Sequence, residues 1–556
     1  MHHVTRRPWW PGAAALALLL LPAIAAAQPA VLLRDIFVGS NDGFPNTLTD
    51  VNGTLYFLAS DGGPSSELWK SNGTPAGTVL VSTIGDQPSG LTNVNGTLFF
   101  SAISNFDFRL WASHGTAGTT AVVANTPIAV HALTPVGGLL LFVGTEELTG
   151  AELWRSDGSS AGTTLVADLN AGSSDSDPQW LTDVNGTLFF IASDGTGRFL
   201  WKSNGTAPGT VKVTDVCALS AGAVCPNQLT NVGGTLFYVA DCQNGGGTGL
   251  WTSNGTAAGT VLLRCLNSNV FADVGQLTAV NNVLFFYADD GNVGTELWKS
   301  DGTINGTQIV KDINPGSNGS SPFWLTNVNG TLFFRADDGV NGTELWKSDG
   351  TPDGTVLVKD IWPGSSGSFP DGLINAQGTL VFAASDDTDL AEPFKSDGSA
   401  AGTMRIQDIN PGSMGSTPEE FTRSGSSVFF RADDGTHGAE LWAMPLSALV
   451  VPTATPSFTP SATPSVTRSA TATPTLTPSP TLTATPRATP TPSRRPCAGD
   501  CNGNGHVDID DFTKAQMILI GQVGFAICPA FDANLNGRID IDDFTVAALN
   551  AVQGCP

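Results

Sequence analysis

Residues 342–361 read GTELWKSDGTPDGTVLVKDI, and this stretch decides the fold because its core recurs throughout the first four-fifths of the chain. A Leu-Trp pair returns at intervals of 42 to 50 residues, and Phe394 replaces the tryptophan in one copy. The recurring tryptophans are Trp69, Trp111, Trp154, Trp201, Trp251, Trp298, Trp346 and Trp442. A period of this length is typical of a repeat architecture.

Each repeat predicts four antiparallel strands. In the copy that spans residues 323–361, the apolar run 323–328 is followed by Asn329-Gly330, which is the strongest sequence signal for a type I′ hairpin. Paired glycines mark the two turns that follow, and the runs between them are rich in Val, Leu, Phe, Thr and Trp. Four strands in roughly 45 residues indicate one blade of a β-propeller, so we predict an all-β propeller.

The two ends of the repeat region predict how the ring closes. Residues 31–36 match the last strand of a repeat, yet three preceding strands are missing. The repeat around Trp442 ends at Pro445 without its fourth strand. We therefore expect the N-terminal strand to complete the final blade, which removes two exposed sheet edges. The hairpins count to nine blades, but an eight-bladed ring with one divergent repeat, or an open array, is also compatible with the sequence.

The repeated core resembles the ELWxxDGT repeat family of bacterial secreted proteins, over about residues 31–445. The resemblance implies export and a repeat fold. It implies no reaction, because that family is defined by its repeat.

Several repeated or unusual residues have two interpretations. The repeated tryptophans predict packing between blades, with ligand stacking as the alternative. The Asn-Gly-Thr triplets predict turns or glycosylation acceptors. The Asp-Asp-Gly loops at 289–290, 337–338 and 433–434 predict turn caps or calcium ligands. Trp180, Trp324 and Trp362 lie outside the repeated position and predict either packing or a platform for a sugar.

Charge and motifs exclude several functions. The chain has 25 Lys plus Arg against 50 Asp plus Glu, a formal charge of −25, so we expect no nucleic-acid partner and no membrane insertion. HExxH, a GxSxG elbow with a plausible triad and a phosphate-binding glycine loop are all missing from the sequence. Two carboxylates for glycoside hydrolysis need only meet in space. The sequence selects no such pair, so we assign no catalytic residue.

Residues 1–27 have the pattern of a secretory signal peptide: Arg6 and Arg7, a short apolar core, and small residues before Gln28. A membrane anchor needs about 20 apolar residues, and this segment has fewer. In an exported protein, cysteines that cluster in adjacent repeats predict disulfides of unspecified pairing, here among Cys217, Cys225, Cys242 and Cys265.

After the predicted propeller at residues 28–445, residues 446–496 are rich in Thr, Pro and Ser. This composition predicts an extended linker, because it offers almost no apolar side chains to bury. Residues 497–556 then form a separate module, in which Cys497, Cys501, Cys528 and Cys555 are expected to be staples.

The module contains two twelve-residue loops, 500–511 and 532–543, with oxygen-bearing side chains at positions 1, 3, 5, 9 and 12 and glycine at position 6. This pattern predicts two bound Ca²⁺ ions, with the main-chain carbonyl of position 7 as a further ligand. The predicted ligands are Asp500, Asn502, Asn504, His506, Asp508, Asp511, Asp532, Asn534, Asn536, Arg538, Asp540 and Asp543. Each loop is followed by a short amphipathic helix, so the module is expected to be α-helical and EF-hand-like.

A duplicated loop and helix after a Pro/Thr linker resembles a type I dockerin. The resemblance implies docking onto a cohesin module, in polysaccharide breakdown or cell-surface assembly. It also implies that loop positions 10 and 11 contact the partner; here they are Ile509, Asp510, Ile541 and Asp542. The usual small hydroxyl residues are absent there, which leaves the partner class open. The sequence thus predicts a secreted, calcium-binding, docked propeller that binds a partner such as a glycan; the alternatives are a carbohydrate-active enzyme and a surface adhesin.

Overall fold

The structure is a computed structural model that describes residues 30–449, except residues 85–86, 124–126, 215–224, 243–246, 268–273, 389 and 413. The predicted signal peptide, nearly all of the predicted linker and the predicted calcium module lie outside the described residues. Within the described part of the chain, no helix has the length and apolar character needed to cross a membrane.

The described residues form nine four-stranded antiparallel sheets, which we number as blades 1 to 9, with strands A to D counted from the innermost. Strands A to D of blades 1 to 3 are Asn46–Val51, Thr54–Ala59, Glu67–Ser71 and Val79–Ser82; Ser89–Val94, Thr97–Ser104, Asp107–Ser113 and Thr120–Val122; Ala129–Val136, Leu139–Glu146, Gly150–Ser156 and Thr164–Ala167. Those of blades 4 to 6 are Gln179–Val184, Thr187–Ser193, Arg198–Ser203 and Val211–Thr214; Asn227–Val232, Thr235–Asp241, Thr248–Ser253 and Thr260–Asn267; Val274–Val280, Val283–Asp289, Thr295–Ser300 and Gln308–Lys311. Those of blades 7 to 9 are Phe323–Val328, Thr331–Asp337, Thr343–Ser348 and Val356–Lys359; Asp371–Ala376, Thr379–Ala384, Glu392–Ser396 and Met404–Arg405; Glu419–Ser424, Ser427–Asp433, Ala439–Pro445 and Val31–Arg34. Short 3₁₀ turns span Pro75–Gly77, Ala117–Thr119, Ala207–Gly209 and Leu446–Ala448.

The predicted ring closure is confirmed. Strand Val31–Arg34 pairs antiparallel with strand C of blade 9, and Leu32 lies opposite Trp442. The A strands of neighbouring blades contact one another around the whole ring, including those of blades 9 and 1. The fold is therefore a closed β-propeller of nine blades, which decides between the alternatives that the sequence left open.

The A strands carry a feature that the sequence did not predict. Each A–B pairing contains a β-bulge; in blade 7, for example, Phe323 pairs with Arg335, but Thr326 pairs with Phe333. In every A strand, the residue that directly follows the last paired residue before the bulge has a positive φ, between 51° and 67°. We call these nine residues the bulge ring: Thr47, Gly90, Ala132, Trp180, Gln228, Gln276, Trp324, Gly372 and Glu420.

The repeated tryptophans pack between blades, as predicted. Trp346 of blade 7 belongs to one buried cluster with Phe285, Leu297 and Val310 of blade 6. Polar groups add a second connection, since Lys347 Nζ donates to the carbonyl of Gly398 in the next blade at 2.8 Å. Each blade thus completes its core only against its neighbours.

The repeated glutamate of the Glu-Leu-Trp core holds the loop that leads to the next blade. Glu344 is fully buried and accepts hydrogen bonds from the main-chain N–H groups of Ile361, Trp362 and Ser368, at 2.9 to 3.1 Å. The Ser368 hydroxyl donates a fourth bond at 2.6 Å. Burial raises the pKa of Glu344, and these hydrogen bonds act in the opposite direction. The same arrangement recurs at Glu296 and Glu392.

Blade 9 departs from this arrangement where the ring closes. Glu440 accepts a bond from the Phe37 N–H at 3.0 Å, but Gly43 stands where other blades have the serine. A Cβ atom on Gly43 would lie 2.6 Å from Oε1 of Glu440, so the carboxylate fills the space that the serine side chain takes elsewhere. Burial raises the pKa of Glu440 to about 7.

The predicted disulfide chemistry is present in blade 5. Cys242, just after strand B, is bonded to Cys265 in strand D. Cys225 is also disulfide-bonded.

Candidate binding site on the bulge ring

The bulge ring is uniform in backbone and uneven in side chains. Blades 4 to 7 carry four consecutive large residues, Trp180, Gln228, Gln276 and Trp324, which we call the arc. The other positions of the ring carry threonine, glycine, alanine, glycine and glutamate. Because A strands are innermost, the arc occupies one side of the ring beside the central axis.

Hydrogen bonds between neighbouring A strands hold the arc in place. Gln228 Nε2 donates to the carbonyl of Val274 in the next blade at 2.8 Å. Gln276 Oε1 accepts from the Leu325 N–H in the next blade at 3.0 Å. Trp324 Nε1 donates to Oδ1 of Asp371. These contacts fix three of the four arc side chains before any ligand arrives, which lowers the entropic cost of binding.

Aromatic surface remains open at both ends of the arc. Trp180 is 48% exposed, which is unusual for a tryptophan in a packed propeller. Beside Trp324, the ring of Phe323 is 36% exposed and contacts Trp324 edge-on, with 5.9 Å between ring centroids. Phe323 also stacks with Tyr287, at 6.5 Å between centroids. Such rings offer apolar faces at fixed positions and cost little side-chain entropy when a ligand covers them.

A charged pair borders the blade 7 end of the arc. Arg335 Nη1 lies 3.1 Å from Oδ1 of Asp371, and the guanidinium lies 5.1 Å from the centroid of Phe323. Both charged side chains are partly exposed, so they can still exchange hydrogen bonds with a ligand. The arc and its border therefore combine exposed aromatic faces, amides and a charged pair, which suits a ligand with apolar C–H faces and many hydroxyl groups.

The three tryptophans that the sequence singled out lie in different surroundings. Trp180 is exposed, whereas Trp324 is partly buried against the core between blades 7 and 8. Trp362 lies outside the ring, in the loop that Glu344 holds. Two of the three predicted platform residues thus belong to the bulge ring, and Trp362 does not.

The Asp-Asp-Gly loops act as turn caps. Oδ1 of Asp338 accepts the N–H groups of Val340 and Asn341, at 2.9 and 2.8 Å, which fits its lowered pKa. Asp434 caps its turn in the same way and contacts Nδ1 of His437 at 2.8 Å. Within the described residues, no group of three or more potential metal ligands comes together. All twelve predicted calcium ligands, and the predicted partner contacts, lie outside the described residues.

Sequence reasoning missed the two glutamines and Phe323. The signal was available: aligning the nine repeats places one residue of each repeat at the same position, and four consecutive repeats have a large side chain there. The sequence did not reveal the bulge, which gives this residue the same backbone conformation in all nine A strands.

No family model matches the chain, and no curated protein is significantly similar to it. Among solved structures, it is similar to puromycin hydrolase, with 16% identity and a TM-score of 0.35, over 73% of this chain and 60% of that one. An acylaminoacyl peptidase of Pyrococcus horikoshii matches with 10% identity and a TM-score of 0.34, over 70% of this chain and 57% of that one. Prolyl oligopeptidase B of Galerina marginata matches with 12% identity and a TM-score of 0.34, over 60% and 51%. The chain spans 51% to 60% of these three proteins. With TM-scores this low, the fold assignment rests on the strand pairings.

Proposed function

We propose that this protein is a secreted, non-catalytic platform that binds a glycan on the arc and is anchored by a calcium-dependent docking module. The observation that carries the binding role is the arc itself, where Trp180, Gln228, Gln276 and Trp324 break the symmetry of the ring at equivalent positions. Sugars present C–H faces that pack on aromatic rings, and hydroxyl groups that pair with amides and carboxylates.

The repeated acids support a binding role over a catalytic one. The buried glutamates at the Glu344 position accept hydrogen bonds from the loops between blades. The acids of the Ser-Asp-Gly-Thr turns, such as Asp349, accept bonds from their own threonines. These acids therefore have structural roles. The side chains exposed along the arc and its border are aromatic rings, amides and the Arg335–Asp371 pair.

The docking role rests on the two twelve-residue loops at 500–511 and 532–543. Without a cation, the carboxylates within each loop of this pattern repel one another. Bound Ca²⁺ neutralises their charge and orders the helix that follows the loop. An ordered helix pair then presents Ile509, Asp510, Ile541 and Asp542 to a cohesin-type partner.

The glycan role is tested with the full secreted chain against a panel of soluble polysaccharides, by affinity electrophoresis followed by calorimetry. Trp180→Ala should weaken binding at least tenfold without lowering the melting temperature, because this side chain is largely exposed. Thr47→Ala, at the same bulge position three blades away and outside the arc, is the matched control and should bind normally. Equal binding by both variants would refute the arc as the site. Release of new reducing ends would favour the carbohydrate-active enzyme.

The docking role is tested by titrating the calcium-free full chain with Ca²⁺. We expect two ions per chain, none in the double variant Asp500→Ala, Asp532→Ala, and capture on immobilised cohesin modules only when Ca²⁺ is present. Calcium uptake without capture by any cohesin would support the adhesin alternative, in which the loops are a structural clip. No calcium uptake would contradict the docking role entirely.

A further inference from the structure

Five of the seams between neighbouring blades share one cationic contact. In five seams a lysine or arginine, placed just after the repeated tryptophan in strand C, donates to a glycine carbonyl in the C–D turn of the next blade, at 2.7 to 3.2 Å. These donors are Lys70, Arg155, Lys202, Lys299 and Lys347. The alkyl chain lies beside the turn: a Cβ atom on Gly350 would be 3.9 Å from Cδ of Lys299.

The seam between blades 5 and 6 lacks this side chain. Thr252 occupies the position, and its hydroxyl donates to the carbonyl of Leu236 within its own blade, at 3.1 Å. The first residue of the blade 5 A–B hairpin is Gly233, where blades 2 and 6 have asparagines that donate to the next blade. Two side chains that occupy other seams are thus both replaced by smaller ones.

The consequence is a larger cavity. It measures about 380 Å³ and is lined by Phe237, Thr252, Asn254, Asn282, Asp301 and Gly302, among others. The corresponding cavities between blades 6 and 7 and between blades 7 and 8, where the lysines remain, measure about 120 and 210 Å³. Between blades 2 and 3, Ala112 replaces the lysine but Asn95 is retained, and that cavity is again about 120 Å³.

The cavity keeps the groups that surround the lysine side chain in other seams, an apolar wall and a nearby carboxylate. Phe237 provides the apolar wall, since its ring lies 3.4 Å from where a Cβ atom on Gly302 would be. Asp301 provides a carboxylate at the rim, held by the Thr303 N–H at 2.9 Å and the Thr303 hydroxyl at 2.7 Å. Those two bonds lower the pKa of Asp301, so it carries a negative charge at neutral pH.

We propose that the seam between blades 5 and 6 is a binding site for a primary alkylammonium group on a small molecule. The alkyl chain packs beside Phe237 and Gly302, along the path that the lysine chain takes in other seams. The ammonium group donates to the Gly302 carbonyl and lies near the Asp301 carboxylate. This site is independent of the arc and of the predicted calcium loops.

The test uses the full chain and n-butylammonium chloride as the probe, with n-butanol as its uncharged analogue and sodium chloride to match ionic strength. Saturation-transfer NMR and calorimetry should show saturable binding of the amine and much weaker binding of the alcohol. Thr252→Lys should abolish binding by placing the chain's own ammonium in the cavity. This variant should fold, because lysine occupies the equivalent position in five other blades.

The variant Asp301→Asn tests how much the negative charge of Asp301 contributes to binding. Asparagine occupies the equivalent turn position in blades 1, 4 and 5 and makes the same bonds to its threonine, so the turn should persist. We expect binding to weaken roughly two- to fivefold, as for an exposed ion pair. Three results would overturn the proposal: no saturable binding to the wild type, undiminished binding to Thr252→Lys with an unchanged melting temperature, or equal affinity for the alcohol.

Discussion

The closing contact of the ring should weaken as pH rises from about 5 to 7, because of Glu440 in blade 9. This carboxyl group is fully buried, and burial raises its pKa from an ordinary 4.5 to about 7. A carboxyl whose folded pKa is raised holds its proton more tightly in the folded state. The stability that it contributes is therefore fully present below pH 4.5, falls as pH rises, and is lost above pH 7. A pKa rise of this size corresponds to about 3 kcal/mol.

The effect should concentrate at the closing strand, Val31–Arg34, because Glu440 lies on the strand that pairs with it and accepts a bond from Phe37 just beyond it. Hydrogen exchange of the amides in that strand reports its opening directly. After correction for the intrinsic exchange rate, 3 kcal/mol predicts that protection falls about a hundredfold between pH 5 and pH 7.5.

Glu440→Gln is the control, since an amide occupies the same volume and has no proton to lose. Its protection should change little over this pH range, and at pH 7.5 it should exceed that of the wild type. Strand C of blade 7 provides an internal comparison: burial also raises the pKa of Glu344, but its four hydrogen bonds oppose that rise, so its pH dependence should be smaller. Equal pH dependence in the wild type and Glu440→Gln would refute the reasoning.

Further substitutions test the contacts between blades and the loop that Glu344 holds. Trp346→Ala should lower the free energy of unfolding by about 3–5 kcal/mol, because it leaves a cavity at a buried site between blades. A melting temperature equal to that of Trp180→Ala would contradict this prediction. Glu344→Ala should lower the free energy of unfolding in urea by about 3–5 kcal/mol, since three main-chain N–H groups lose their acceptor. Glu344→Gln should cost clearly less, and the reverse order would contradict the role of Glu344 in holding the loop. Lys347→Met should cost about 1 kcal/mol in the same assay, and no change would mean that its bond to Gly398 is replaced by water.

Local sequence determined what could be predicted about the fold. The strand runs and the Asn-Gly hairpins depend on neighbouring residues, and Asn329 and Gly330 indeed have φ values of 52° and 87°, as a type I′ turn requires. Ring closure was also predictable. The strand Val31–Arg34 lacks the other three strands of a blade, and the repeat that ends at Pro445 lacks its fourth strand, so each supplies what the other lacks.

What could not be predicted depends on contacts between distant residues. Glu344 accepts bonds from residues 17 to 24 positions later in the chain, and the repeat showed only that glutamate recurs. The pairing of Cys242 with Cys265 depends on how strands B and D lie on either side of strand C in blade 5. The bulges add one residue to each A strand, and an alternating pattern gives no signal for that addition.

In a symmetric ring, positions where one repeat differs from the others are the informative ones. A residue that recurs in most blades, such as the tryptophan, the glutamate or the lysine of the core, has the same packing or hydrogen-bonding role in several of them. Binding to one ligand needs an asymmetric surface, which identical blades do not provide. The arc and the seam at Thr252 are two such departures: both keep the backbone conformation of the other blades and differ in their side chains. Since the scaffold is retained at both places, the differences in side-chain size and chemistry are available for recognition.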